Sequence, residues 1–420
     1  MFDPSFKFFK NIKNFFFPFY RDKDLKFIFQ KLQEGLPKNK VAARFVGGCV
    51  RKYLSNEEID DIDIATILSS DQIKEKFKNS NFKVIDTGIK HGTVTIVFNN
   101  RKVEITTLRK DVKTDGRHAE VEYTEDWQTD SERRDFTINA IYLDINGKIF
   151  DPQMGSADLK NNIVKFIGDP QKRIEEDYLR IVRFIRFKLM YDNKVEKTTS
   201  DAIKENLDGI KKISKERILI ELLKILELNN IFKINESSYL REIFLMIFPE
   251  FLYLDRLERL KKIYNFPKLN KEIILGVLLI DKKDNHQYFS HKYKVSTKIK
   301  ESLQNLATNL NLLEKDKNFL SKDLFKNIYI LGKNHLIALL ILNYSYDNKI
   351  KFKNISKILK QILAFNIPKF NIDGKYLLDN GMHEGASIGK VLKIIEKEWI
   401  NNSFKISKDR IKEIVRTNLS

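Results

Sequence analysis

The chain predicts an α+β protein, a small mixed-sheet head followed by an elongated, all-helical neck, body and tail. Three observations carry that expectation. From about residue 41 to residue 151 apolar residues alternate with period two in short pieces, as half-buried strands do. After Gly155 the strand signals fade, and apolar residues recur at three- and four-residue spacing almost to the end. At 420 residues the chain also exceeds a usual single core, so roughly two to four packed units are expected.

Taken in order, residues 1–40 form an N-terminal extension in which Lys and Phe are mixed. Its run Phe15-Phe16-Phe17-Pro18-Phe19 is too short to span a bilayer, and a packing helix is expected, with a surface-seeking segment as the alternative. Strands are expected at 43–46, 61–65, 83–86, 93–98, 103–108 and 141–143, with a helix over 71–79 capped by Ser70 or Asp71. These make a head over 41–151. A neck over 152–230, a body over 231–340 and a tail over 341–420 follow. The boundaries rest on Asp151-Pro152, the polar stretch 192–200, Asn265-Phe266-Pro267, the polar stretch 281–286 and the Pro368 region. The apolar runs 273–280 and 336–342 are of core-helix length, so a soluble protein with no membrane partner is expected.

Formal net charge is +19, from 76 Lys+Arg against 57 Asp+Glu, which suits an anionic polymer or an anionic surface. A Lys- and Asn-rich compositional habit gives the same charge, so it permits an RNA partner without identifying one. Cys49 is the only cysteine, which excludes an intrachain disulfide and points to a reducing compartment, with the cytoplasm expected. Its simplest role is a small buried filler beside a glycine turn. No two of the six histidines stand at metal-ligand spacing, so zinc is not expected.

The chemistry begins at Gly47-Gly48-Cys49-Val50-Arg51, followed ten residues on by Asp61-Ile62-Asp63-Ile64-Ala65-Thr66. On a strand Asp61 and Asp63 share a face while Ile62 and Ile64 enter the core. Two ionised carboxylates side by side repel unless a cation neutralises them, and Mg2+ is the hard, oxygen-preferring candidate. A lone Asp-x-Asp is commonly a solvated strand face and Gly-Gly commonly only a turn; together they favour a triphosphate held against metal. Val103-Glu104-Ile105 places a third carboxylate on an apolar strand, where a neighbouring strand brings Glu104 toward the pair or leaves it simply exposed.

Two longer strings supply cations. Arg133-Arg134-Asp135-Phe136-Thr137-Ile138-Asn139-Ala140 offers phosphate donors with a carboxylate and an amide to orient them. In Glu176-Asp177-Tyr178-Leu179-Arg180, extended by Arg183 and Arg186, a helix sets Asp177 and Arg180 side by side at i, i+3. An Asp acceptor beside an Arg donor complements a base edge showing an exocyclic amine beside a ring-nitrogen acceptor. Cytosine and adenine both present that order; uracil and guanine present the reverse and leave buried polar groups unpaired. The plain alternative is an intrahelical salt bridge worth a few tenths of a kcal/mol.

These segments, with Thr87-Gly88 to His91-Gly92-Thr93, Asp151-Pro152 and Gly155-x-x-Asp158-Leu159, resemble in order the motifs of the tRNA nucleotidyltransferase and poly(A) polymerase family, within the polymerase β-like nucleotidyltransferases. The resemblance runs through about residues 44–226, and an ordered run of motifs is far more specific than any one of them. It implies metal binding by Asp61 and Asp63 with Glu104 as third carboxylate, and nucleotide contacts from Gly48, Arg51, Arg134, Asp177, Arg180, Arg183 and Arg186. In the family the Asp177 and Arg180 positions serve as a protein template for the base. One departure stands out: Lys52 occupies a position where the family usually has Asp.

Thr87 to Thr95 resembles the tRNA-repair branch rather than the poly(A) branch. The segment 111–130, including Asp115-Gly116-Arg117-His118, looks like the flexible loop that tRNA enzymes use in switching from C to A addition. Gly374-Lys375-Tyr376, the stretch 381–385 and Ile388-Gly389-Lys390 resemble the C-terminal module of bacterial members, suited to RNA backbone contact or to plain helix capping. The resemblance therefore implies template-independent, Mg2+-dependent addition of C, C and A to the 3′ end of tRNA from CTP and ATP. A poly(A) polymerase, a CC-adding or A-adding specialist, and a non-catalytic RNA-binding protein are the alternatives; oligomeric state is not readable from the sequence.

Overall fold

The computed structural model describes residues 18–88, 92–114, 119–191, 195–263, 269–316 and 318–418, in two compact units, 1–230 and 231–420. Most of the Phe-rich extension, His91, Asp115-Gly116-Arg117-His118, the Asn265-Phe266-Pro267 boundary and part of the 192–200 boundary lie outside the described residues.

The first unit is built on a seven-stranded mixed sheet in the order β3-β4-β5-β2-β1-β8-β9. Its strands are β1 (Ala43–Val46), β2 (Asp63–Thr66), β3 (Lys83–Gly88), β4 (Thr93–Phe98), β5 (Arg101–Thr107), β8 (Tyr142–Leu143) and β9 (Ile149–Phe150). Every neighbouring pair is antiparallel except β2 with β5, which run parallel with Asp63 opposite Glu104. Alternation explains the core: Val103 and Ile105 are fully buried while Lys102 and Glu104, alternating with them, face solvent. Each such apolar side chain contributes roughly 1.5–3 kcal/mol by leaving water.

Helix α1 (Lys23–Gln33) buries Leu25, Ile28, Phe29 and Leu32, at helical spacing, and stacks Phe29 on Phe45 of β1 at 4.6 Å between ring centres. Helix α2 (Gly48–Leu54) follows β1 directly. Helix α3 (Ser70–Phe77) starts one residue earlier than expected, because Ser69 rather than Ser70 or Asp71 is the cap. The Ser69 hydroxyl accepts from the Gln72 amide while the Gln72 side chain returns to the Ser69 amide.

Within the segment that resembles the switching loop, the described residues are mostly strand and helix. Strand β6 (Arg109–Thr114) pairs antiparallel with β7 (Ala119–Tyr123), and helix α4 (Trp127–Glu132) follows, capped by Asp126. Val112 and Tyr123 are half exposed, so the apolar alternation that marks a strand packed on a core is missing here.

Beyond β9 the unit is helical. Helix α5 (Gly155–Lys160) sits on a 3₁₀ turn, Thr137–Asn139, so closely that a Cβ on Gly155 would lie 2.0 Å from the Thr137 carbonyl oxygen. Helices α6 (Pro170–Glu176), α7 (Leu179–Tyr191) and α8 (Lys215–Leu226) complete the wall that faces the sheet. Phe136, beside the 3₁₀ turn, meets Phe166 at 4.7 Å and Phe187 of α7 at 5.3 Å, which ties α7 to the end of the sheet.

The second unit contains only helices among its described residues. Its longest, Thr297–Lys315, is capped by Ser296, and Lys333–Tyr346 is buried along most of its length. No single described helix is long and apolar enough to cross a membrane; Leu324–Leu331 and Lys333–Tyr346 reach that composition only as a pair bent by 118°. Near the end, Leu377, Val391, Ile395, Ile411, Ile414 and Val415 form a core of their own. Of the two glycine-marked helix starts there, Gly374–Asp379 is already capped by Asp373, whereas Ala386–Asn401 follows Gly385 with no side-chain cap.

Candidate active site

A cavity of about 760 Å³ opens between the end of the sheet and helix α7, wholly within the first unit. It gathers Gly48, Arg51, Asp61, Asp63, Arg134, Asp177, Arg180, Arg183 and Arg186 from segments far apart in the chain.

At one end the chain leaves β1 through Gly47, at φ +75°, a backbone that side-chain-bearing residues rarely adopt. A Cβ on Gly47 would stand 3.5 Å from Asp63 Oδ2, and one on Gly48 3.7 Å from Asp61 Oδ1. Both carboxylates thus face the same glycine turn. The expectation that they share one strand needs correcting: β2 begins at Asp63, and Asp61 belongs to the approach before it. The first ladder bond, from the Glu104 amide to the Ile62 carbonyl, sets Asp63 opposite Glu104.

Burial, with Asp61 and Glu104 nearby, pushes the Asp63 carboxyl up to about 6 against the opposing pull of Arg134 and Arg51. Burial and the hydrogen-bonded Asp60 raise Asp61 as well. Burial would raise Asp60 too, but hydrogen bonds from Asp61 and Lys52 prevail and bring it to about 2. Glu104 stands on the sheet face beside Asp63 in parallel register, exposed and outside the cavity wall. Among the described residues no cluster of three or more His, Cys, Asp or Glu forms a ready cage. Two close, hard-oxygen ligands with raised proton affinity fit a divalent cation that takes its remaining ligands from phosphate and water.

The arginines are already held. Arg51 is buried, donates to Asn139 Oδ1 and lies over the Phe187 ring at 4.8 Å. Asn139 Nδ2 in turn donates to Asp135 Oδ1 at 2.9 Å, and Asp135 Oδ2 pairs with Arg183 at 2.8 Å. Asp135 stays below the usual carboxylate range despite its burial, because Arg183 and Asn139 outweigh that effect. Arg133 and Arg134 both bind the fully buried Asp130, at 2.8 and 3.0 Å, and Tyr142 donates its hydroxyl to the same carboxylate.

Asp177 and Arg180 both line the cavity but not as an intrahelical pair. Asp177 is extended backbone in the break between α6 and α7; its Oδ1 accepts from the Leu179 amide and its Oδ2 from Arg217 at 2.8 Å. Arg180, on α7, pairs with Glu176 at 2.7 Å and donates to the Arg173 carbonyl. Asp177 ends α6, and its side chain hydrogen-bonds locally to the backbone where α7 begins. Arg186 pairs with Glu221 at 2.9 Å and lies over the Phe187 ring at 4.3 Å.

Sequence reasoning missed Asp130, which holds two of the cavity's arginines, although its i, i+3 and i, i+4 spacing to Arg133 and Arg134 was a usable signal. It missed Arg109 and Asp111, which the β6 strand brings to the cavity wall. Burial and Arg133 push Arg109 down to about 10.

Comparison with known proteins agrees in outline. Residues 43–165 match the model of the poly A polymerase head domain, and 194–253 match the model described as a probable RNA and SrmB- binding site of polymerase A. CCA tRNA nucleotidyltransferase 1, mitochondrial, of Danio rerio is 33% identical over 398 residues, covering 90% of this chain and 88% of that protein. The CCA-adding enzyme of Lactobacillus helveticus is 31% identical over 388 residues, covering 88% and 92%. In fold, the chain resembles the Bacillus stearothermophilus CCA-adding enzyme solved in complex with CTP, with a TM-score of 0.67 at 23% identity over 96% of this chain and 98% of that one.

Proposed function

Because the chain belongs to the tRNA nucleotidyltransferase and poly(A) polymerase family, we propose that it adds C, C and A in turn to the 3′ end of tRNA, using CTP and ATP and no nucleic-acid template. One observation supports this reading most: a carboxylate pair facing a glycine turn shares a single cavity with Asp177, Arg180 and a set of arginines. The terminal ribose hydroxyl of the tRNA attacks the α-phosphate, the bond to the β-phosphate breaks, and pyrophosphate leaves.

Asp61 and Asp63 would hold Mg2+, with Glu104 alongside as the third carboxylate. Bound there, the metal supplies a lowered pKa for the attacking hydroxyl and a counter-charge for the α-phosphate. Gly48 permits close approach of the triphosphate to the backbone, and Arg51 and Arg134 donate to its oxygens. Arg183 and Arg186 extend that positive wall. Asp177 accepts from the exocyclic amine of the base and Arg180 donates to its ring nitrogen, with Arg217 and Glu176 fixing the two side chains. The pairings lock a donor and an acceptor in place that a free helix face would leave to rotate.

The basic helices of the second unit suit recognition of the tRNA elbow through phosphates and 2′-hydroxyls. Residues near the uncapped start after Gly385, with Lys390, are the first candidates for backbone contact. A buried, unreactive Cys49, its thiol pushed up to about 12 by burial, fits a reducing compartment such as the cytoplasm.

The test is to incubate tRNA lacking its 3′ CCA with each labelled nucleotide and measure product length. Addition of C, C and then A is the expected outcome. Long A tails would favour a poly(A) polymerase, addition restricted to CC or to A a specialist enzyme, and no incorporation a binding protein.

A further inference from the structure

Among the described residues, Lys52 is a cation of the cavity that pairs with one carboxylate proposed to carry metal, Asp61. It follows Arg51 on the last turn of α2, lines the same cavity, and is 19% exposed at its side chain. Its ammonium forms an ion pair with Asp60 Oδ1 and stands 3.9 Å from Asp61 Oδ1. Other cations of the cavity have their own partners: Arg134 with Asp130, Arg183 with Asp135, Arg186 with Glu221. Lys52 leans on the acidic rim, and Asp60 and Asp61 are well exposed, 70% and 65%, so the contact is open to exchange with solvent ions.

A lysine is a compact charge on a flexible stem, able to trade one anion for another. When nucleotide arrives, two things change within its reach. A divalent ion replaces it as the counter-charge of Asp61, and a triphosphate places several oxygens in the cavity it already lines. Resting on the functional reading above, we propose that Lys52 is a tethered stand-in cation. It partly offsets the charge of Asp60 and Asp61 before metal binds, then turns to the triphosphate once metal occupies Asp61, so that metal and nucleotide bind tightly only together.

The test measures binding, not turnover. Mn2+ affinity of the full-length protein would be followed by electron paramagnetic resonance with and without a non-reactive CTP analogue, for the native chain and for Lys52→Met and Lys52→Arg. Removal of the charge should tighten Mn2+ binding in the absence of nucleotide about 3- to 10-fold and weaken the analogue's binding by a similar factor. Lys52→Arg should restore analogue binding. Asp61→Asn with Asp63→Asn is the control. If the control keeps native Mn2+ affinity, the metal reading itself fails. If the control loses Mn2+ but Lys52→Met changes neither affinity, or loosens Mn2+ without nucleotide, only the stand-in role is overturned.

Discussion

The two ends of the cavity handle charge in opposite ways. Around Arg134, Arg180, Arg183 and Arg186 every guanidinium has a carboxylate within 3.0 Å, and Asp130, Asp135 and Glu221 are themselves buried. Around Asp61 and Asp63 the charge is under-compensated, and both carboxyls hold their protons more tightly than usual. Rigid, internally paired arginines give a fixed shape that a base and a triphosphate can be matched against. Under-compensated acids give a site whose missing charge must come from outside. One end is built to select, the other to be completed.

That contrast orders the consequences of disturbing it. Asp61→Ala or Asp63→Ala should lower turnover by about a thousandfold or more, through loss of the proposed metal ligands, while tRNA binding measured by filter retention stays near native. Near-native turnover in either variant would mean the acidic end is not the reactive one.

Disturbing the other end should change choice more than rate. Asp177→Ala removes the proposed acceptor for the base amine and should raise use of UTP or GTP relative to CTP and ATP by about 10- to 100-fold in competition assays. Unchanged discrimination would show that the base is read elsewhere on the cavity wall.

The smallest effect is on pH. The Asp63 carboxyl lies near about 6 in the fold against 3.8 in its ordinary state, so the folded chain keeps this proton to higher pH than the unfolded chain. Its contribution therefore favours the metal-free fold below its unfolded pKa and is lost as pH rises from 3.8 to about 6. Melting of the chelated protein should decline over that window relative to Asp63→Asn, and added Mg2+ should offset the decline. Because metal and proton compete, the acid limb of the activity profile should move to lower pH as Mg2+ is raised.

How far the sequence carried the reading follows from how local each signal is. Strands β1 and β4 matched their expected ranges because alternation over four to six residues is a property of the strand itself. The β6–β7 pair was read as loop because Arg109–Thr114 and Ala119–Tyr123 are mostly polar, and their pairing is with each other rather than with a core. Of the candidate site residues, all but Glu104 line one cavity, since the motifs fix residue type at each position. Their partners were not legible. Arg217 with Asp177 and Glu221 with Arg186 are contacts over 40 and 35 residues that only packing decides, and they replaced the i, i+3 pair that spacing alone suggested.

The seat of α5 against the Thr137–Asn139 turn has an effect well away from where it lies. At Gly155 there is no room for even one methyl group, so the turn's height above the helix is set by hydrogen atoms. Asn139, at the end of that turn, is what Arg51 hangs from. The aim of a phosphate-facing guanidinium is thereby calibrated by an atom that glycine lacks, and drift at this remote contact would register as a mis-set nucleotide rather than as an unfolded protein.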